Sequence, residues 1–170
     1  FLTITSLIVP DRTATIFEDV RRSYAELHSR VTRLANALAS LGVGAGDRVA
    51  TIHVNCPQHI EVYFAAALLD AIYVPLNFRV RADELSFMLG DAAPKALFVG
   101  ERYTELVQSV ADKAPSVERY VALDGEDSPW PRYEELVASG SEEERFPLAD
   151  DNDTTIIMFT AGTTGTPKGV

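Results

Sequence analysis

Val49-Ala50-Thr51-Ile52-His53-Val54 is an almost unbroken apolar run, as a strand covered on both faces requires, and the segments after it decide the fold. Asn55 and Pro57 open a helix that runs to about Leu69, and Ile72-Tyr73-Val74-Pro75-Leu76 reads as a second short strand. Two strands joined through a helix of this length form a crossover, which sets them parallel. The alternation continues downstream. Arg81 to Leu89 is helical, Ala96-Leu97-Phe98-Val99 is strand-like, Tyr103 to Ala111 is helical, and Arg119-Tyr120-Val121-Ala122-Leu123 is again a strand. The expected fold class is therefore α/β, with a mostly parallel sheet and helices on both faces.

Upstream of that unit, Ser23-x-x-Glu26 is a capping box. Tyr24, Leu27, Val31, Leu34, Leu38 and Leu41 come after it at three- and four-residue steps until Gly42 ends the helix. Before it, the apolar runs on either side of Glu18-Asp19 predict a small hairpin over about residues 13–22. After Leu123 the pattern loosens into a turn-rich acidic loop (124–129), a short helix from Tyr133 to Val137 and a polar connector reaching Asp153. Its Glu142-Glu143-Glu144 run reads as a solvated surface.

Composition narrows the function classes. The 170 residues carry 15 Lys and Arg against 25 Asp and Glu, a net charge of −10, which argues against a nucleic-acid binder. With 46% hydrophobic and 24% charged residues, a sizeable core is expected. The single cysteine, Cys56, can close no internal disulfide, so a reducing, cytoplasmic setting is expected and a cysteine-based zinc cluster is excluded. No stretch approaches the length of a transmembrane segment. Phe1-Leu2-Thr3-Ile4-Thr5 has neither an initiator Met nor a basic leader and reads as a trimmed start.

The most informative segment is the last. Thr154 to Phe159 has an apolar strand pattern and runs into Thr160-Ala161-Gly162-Thr163-Thr164-Gly165-Thr166-Pro167-Lys168-Gly169. Glycines at 162, 165 and 169 let backbone N–H groups approach an anion closely, the threonine hydroxyls add donors or a cation ligand, and Lys168, one of three lysines, adds charge. A Walker A loop is excluded, because there Lys follows Gly directly and here Pro167 precedes Lys168.

Phe159 to Val170 resembles the AMP-binding signature of the adenylate-forming superfamily. Ser23-Tyr24-Ala25-Glu26-Leu27 is similar to its first core motif, and Leu68 to Asn77 to its second. Pro75-Leu76-Asn77-Phe78-Arg79, with Arg81-Ala82-Asp83-Glu84-Leu85 after it, is most similar to the fatty acyl-CoA synthetase branch. Two departures are visible: Ala161 stands where Ser or Thr is usual, and Asp70-Ala71 replaces the usual glycine-containing run. The resemblance spans about Ala14 to Val170 and implies the first part of a large N-terminal domain. That part comprises the hairpin, βα units over about 23–123, the connector over about 124–153 and the strand with its phosphate loop over 154–170, the remainder lying downstream.

The resemblance also implies a two-step ligase with ATP, magnesium (Mg) and coenzyme A (CoA) as cofactor, metal and co-substrate. A carboxylic acid, expected to be a fatty acid, would become an acyl-adenylate and then a thioester. Loading of a carrier-protein thiol, or a non-catalytic interaction module that keeps the fold, are the alternatives. The implied cofactor-binding residues are Thr160, Ala161, Gly162, Thr163, Thr164, Gly165, Thr166 and Lys168, with Thr160 near the metal; the catalytic residues are expected beyond Val170. A homo-oligomer is compatible with the sequence.

Other polar residues read as structural. His53 and His59 flank Cys56, but a metal site would need a third converging ligand. His28 is expected in solvent on the polar helix face. Gly42-x-Gly44-x-Gly46 lacks the dinucleotide spacing and comes after a helix. Trp130 and the tyrosines are assigned to packing.

Overall fold

The structure, a computed structural model, describes residues 1–148, 150, 152–160 and 167–170. In chain order its elements are α1 (Leu2–Ile8), β1 (Thr13–Phe17), β2 (Val20–Ser23), α2 (Tyr24–Ser40), β3 (Arg48–Ile52), α3 (Pro57–Ala67), β4 (Ile72–Pro75), α4 (Ala82–Ala92), β5 (Ala96–Val99), α5 (Thr104–Gln108), β6 (Arg119–Ala122), α6 (Tyr133–Ser139), β7 (Phe159–Thr160) and β8 (Lys168–Gly169). The central sheet has the order β4-β3-β5-β6 with every neighbouring pair parallel. β1 and β2 pair separately as the expected hairpin, turning through Glu18 in the left-handed region at φ 52°.

Alternation along each strand divides the core in two. Val49, Tyr73, Ala96, Phe98 and Val121 face α1, α2, α3 and α6, whereas Ala50, Ile52, Val74, Leu97 and Val99 face α4 and α5. Helices thus cover both faces. The capping box forms as the sequence predicts: Glu26 N–H donates to Ser23 Oγ at 3.2 Å, and Ser23 N–H to Glu26 Oε2 at 2.7 Å. α3 begins at Pro57, where a missing N–H costs nothing.

Three local departures have physical causes. α1 is a helix although Leu-Thr-Ile-Thr-Ser-Leu-Ile is poor in helix formers; packing of Leu2 under α2 and hydrogen bonds from Thr5 and Ser6 hydroxyls to Phe1 and Thr3 carbonyls hold it. The single helix expected over Tyr103–Ala111 is divided into a 3-10 turn at Glu101–Tyr103, α5, and a second 3-10 turn at Ala111–Lys113. Near that break the Ser109 hydroxyl bonds the Leu106 carbonyl at 2.7 Å, competing with the helical ladder. His28 is not in solvent: the connector covers it, and Nε2 lies 3.6 Å from Glu144 Oε2.

Both sheet edges are extended by a single bridge, Ile156 beside Tyr73 and Arg132 beside Ala122, each parallel. The connector crosses from one edge to the other along α2. Glu142 accepts from Ser29 Oγ at 2.8 Å and pairs with Arg33, and Asn36 donates to the carbonyls of Ser141 and Glu143 at 2.8 Å each. Asp70 then accepts from Leu148 N–H at 2.9 Å. Asp70 sits at φ 53°, so the departure from the glycine-containing run falls at a left-handed position, which Asp tolerates better than most residues.

Under α2, Glu61 of α3 is 0% exposed. Arg30 Nε donates to both its oxygens at 2.9 and 3.0 Å, and the Tyr133 hydroxyl donates to Oε2 at 2.7 Å. Arg30 also grips Glu134 with its two terminal nitrogens at 2.9 and 2.8 Å. Burial alone would lower the Arg30 pKa, but the hydrogen bonds to Glu134 and Glu61 outweigh it and raise it.

Candidate functional site

The parallel strands end on one side, where ligands of open α/β sheets bind. Thr155–Ile157 reaches that side bridged to β4 through Tyr73. Tyr73 N–H donates to the Thr155 carbonyl at 3.0 Å, and Ile157 N–H to the Tyr73 carbonyl at 2.9 Å. Ile156 packs toward the α2/α3 face, while Ile157 and Phe159 pack toward α4. The chain then turns into an antiparallel stem. Met158 and Val170 exchange N–H···O bonds of 2.8 and 3.0 Å, and β7 pairs with β8 through Phe159 beside Gly169 and Thr160 beside Lys168. A Cβ on Gly169 would stand 3.0 Å from Ile157 Cγ2, so the stem closes tightly there.

Thr160 and Lys168, the two ends of the glycine-threonine segment, are therefore brought together, and both are exposed. The Thr160 hydroxyl donates to the Lys168 carbonyl at 3.5 Å, at the outer limit of a hydrogen bond, which leaves it available to a ligand. Among the described residues Lys168 makes no ion pair. Ala161, Gly162, Thr163, Thr164, Gly165 and Thr166 lie outside the described residues.

The same end of the sheet holds two polar groups. His53 Nε2 lies 3.4 Å from Asp124 Oδ2, and its ring occupies the space a Cβ on Gly100 would need, since that atom would collide with Nδ1. His59 is turned the other way, its Nδ1 2.6 Å from the Tyr73 hydroxyl and 3.0 Å from Thr51 Oγ1. Burial holds His59 below the ordinary imidazole range and pushes Tyr73 up to about 12. Cys56, half-buried at the start of α3, is likewise raised by burial. Among the described residues no three His, Cys, Asp or Glu side chains converge as metal ligands. Trp130 stacks on Tyr120 at 5.2 Å, as its packing assignment requires.

Two features were not read from the sequence. Glu61 carried a signal, a carboxylate between Ile60 and Val62 in an apolar helix. The Thr51, His59 and Tyr73 group carried none, because its members meet only when α3 folds back across β3 and β4.

The sequence profile of the AMP-binding enzyme family matches residues 8–170. The chain belongs to this family. It is 37% identical over 161 residues to an indoleacetate–CoA ligase of Aromatoleum aromaticum, an alignment covering 94% of the chain and 31% of that protein. To a long-chain-fatty-acid–CoA ligase of Thermus thermophilus it is 35% identical over 152 residues, covering 88% and 27%. The structure of a Mycobacterium tuberculosis fatty acyl CoA synthetase superposes with a TM-score of 0.88 at 29% identity, over 99% of this chain and 33% of that one. The chain thus spans about a third or less of the length of these proteins. No helix among the described residues is long and apolar enough to cross a membrane.

Proposed function

We propose that the intact protein is an acid–thiol ligase that activates a carboxylic acid with ATP and passes the acyl group to coenzyme A. The observation that carries this is the stem at Thr160 and Lys168, which presents the two ends of a glycine-threonine loop at the carboxyl side of the parallel sheet. In the first step a carboxylate oxygen attacks the α-phosphorus, the bond to the bridging oxygen breaks, and pyrophosphate leaves. In the second, the CoA thiol gives up its proton to solvent, its sulfur attacks the acyl carbon, the bond to the phosphate oxygen breaks, and AMP leaves.

In-line displacement needs negative charge on the leaving pyrophosphate to be neutralised more than it needs covalent help. Backbone N–H groups from Ala161 to Thr166, the threonine hydroxyls and the Lys168 ammonium are the chain's own means of doing so. Magnesium, when bound, supplies further neutralisation, and the exposed Thr160 hydroxyl is a hard oxygen donor that fits it. A cytoplasmic setting belongs to the same proposal, supported by the lone Cys56.

A fatty acid is the proposed substrate, supported by Pro75-Leu76-Asn77-Phe78-Arg79 and by the Thermus relative. Each buried methylene adds about 0.8 kcal/mol, so the specificity constant should climb roughly three- to fourfold per carbon until an acyl tunnel fills. AMP release on acids from acetate to palmitate, with an aryl acid alongside, checks this. A flat series or a preference for the aryl acid rejects the fatty-acid assignment. For the loop, Lys168→Ala and Gly165→Val should each slow acid-dependent ATP–pyrophosphate exchange about tenfold or more. Wild-type exchange in both variants would overturn the ligase reading.

A further inference from the structure

Thr51, His59 and Tyr73 come from β3, α3 and β4, and their side chains close on one another beneath the strand that leads into the loop. Thr51 is 0% and Tyr73 5% exposed. His59 Nε2 faces the His53 carbonyl at 3.4 Å, so the ring carries its proton there and Nδ1 accepts from the Tyr73 hydroxyl at 2.6 Å. The Thr51 hydroxyl donates in turn to the Tyr73 oxygen at 2.8 Å. The edge of Tyr63 packs on the Tyr73 ring, centroid to centroid 5.8 Å. The ring is thus fixed at its tip by two other elements and along its side by a third contact.

The backbone of the same residue carries the two hydrogen bonds that hold Thr155–Ile157 on the sheet, and Thr160 comes three residues later. Any movement of Tyr73 is handed directly to the base of the loop. A leucine or phenylalanine would fill the space, but only a directional hydrogen bond fixes the height of the ring above the sheet. We propose that Thr51, His59 and Tyr73 are positioning residues that set where the stem at Thr160 and Lys168 stands, and through it where the phosphates of ATP are held. This rests on the proposed role of the loop as a grip for those phosphates. Placement at this level matters because an error of about 1 Å can cost up to 10²-fold in rate.

The test uses the intact protein carrying Tyr73→Phe, His59→Leu or His59→Asn, assayed by acid-dependent ATP–pyrophosphate exchange. Tyr73→Phe and His59→Leu should raise KM for ATP about threefold or more while KM for the acid stays within about twofold. His59→Asn, whose Oδ1 replaces the Nδ1 acceptor, should recover most of the loss. An unchanged KM for ATP in the first two variants, or equal rises for ATP and acid, overturns the proposal.

Amide hydrogen exchange gives a readout that needs no activity. The Ile157 N–H, which donates to Tyr73, should exchange about tenfold faster in Tyr73→Phe while amides of β5 keep their protection. Unaltered protection at Ile157 overturns the positioning role. A wild-type protein that exchanges no pyrophosphate, yet loosens at Ile157 in the variant, would refute the ligase reading and leave the anchoring of the loop strand standing.

Discussion

Two clusters of polar side chains lie on the same face of the sheet, one charged and built on the buried Glu61, the other neutral and built on the buried Thr51 and Tyr73. Arg30, Glu61, Tyr133 and Glu134 link α2, α3 and α6 through an Nε–H shared by both Glu61 oxygens, a bidentate pair with Glu134 and a tyrosine hydroxyl. Thr51, His59 and Tyr73 link β3, α3 and β4 with neutral hydroxyls and an imidazole. The charged cluster can be broken only by leaving a charge without its partner in the interior, which is costly. The neutral one can lose a member and keep the other two bonded. The first therefore acts on whether the helical layer stays assembled, and the second on where one strand stands within a layer that is already assembled.

The largest expected effect breaks this contrast at its charged end. Glu61→Ala leaves Arg30 with only the half-exposed Glu134 and strips the Tyr133 hydroxyl of its acceptor, so urea unfolding should show a loss of about 3 kcal/mol. Tyr73→Phe removes a hydroxyl whose two partners remain 3.0 Å apart and able to bond each other, and should cost about 1 kcal/mol. Equal losses in the two variants would erase the distinction between assembling and positioning.

The smallest effect sharpens it through pH. Burial keeps the His59 pKa below its ordinary value of about 6.5, so as pH falls through that value the unfolded chain takes up the proton first and stability declines. The hydrogen bond from Arg30 holds Glu134 below the ordinary carboxylate range, so its contribution is present above about pH 4.5 and disappears only as pH drops through the lower folded value. Thermal melts between pH 8 and 3 should show two separate declines. His59→Asn should flatten the upper one, within about 1 kcal/mol, and leave the lower in place. A variant that alters both would mean that the clusters are coupled.

Most of the framework was legible because it rests on local rules. Ser23 and Glu26 announce the start of α2, Pro57 that of α3, and the apolar runs at 49–54 and 96–99 locate β3 and β5, although β3 ends at Ile52 and leaves His53 and Val54 outside it. The same rules failed where tertiary contacts outweigh propensity. α1 is built from threonine, isoleucine and leucine and owes its form to what lies beneath it. Thr154–Phe159 reads as one strand, yet as an outer edge with exposed threonines it bridges β4 only around Ile156 before entering the stem at Phe159. For the site, the loop's chemistry could be read from its glycines, threonines and lysine. Its support could not, since Thr51, His59 and Tyr73 obey no periodicity and meet only through the crossover.

The belt across α2 has a consequence for the length of the chain. Asn36 holds Ser141 and Glu143 and accepts from Arg145, and Asp70 holds Leu148. Only Phe146 and Pro147 separate the two fastenings, so at roughly 3.3–3.6 Å per residue the path from Arg145 to Leu148 can reach no further than about 11 Å. Removing one residue there would pull a fastening open, whereas an added residue would bulge into solvent beside the 72%-exposed Phe146 and 91%-exposed Leu148. Tolerance to changes of length in this connector is therefore one-sided, and relatives of this chain should vary there by gaining residues rather than by losing them.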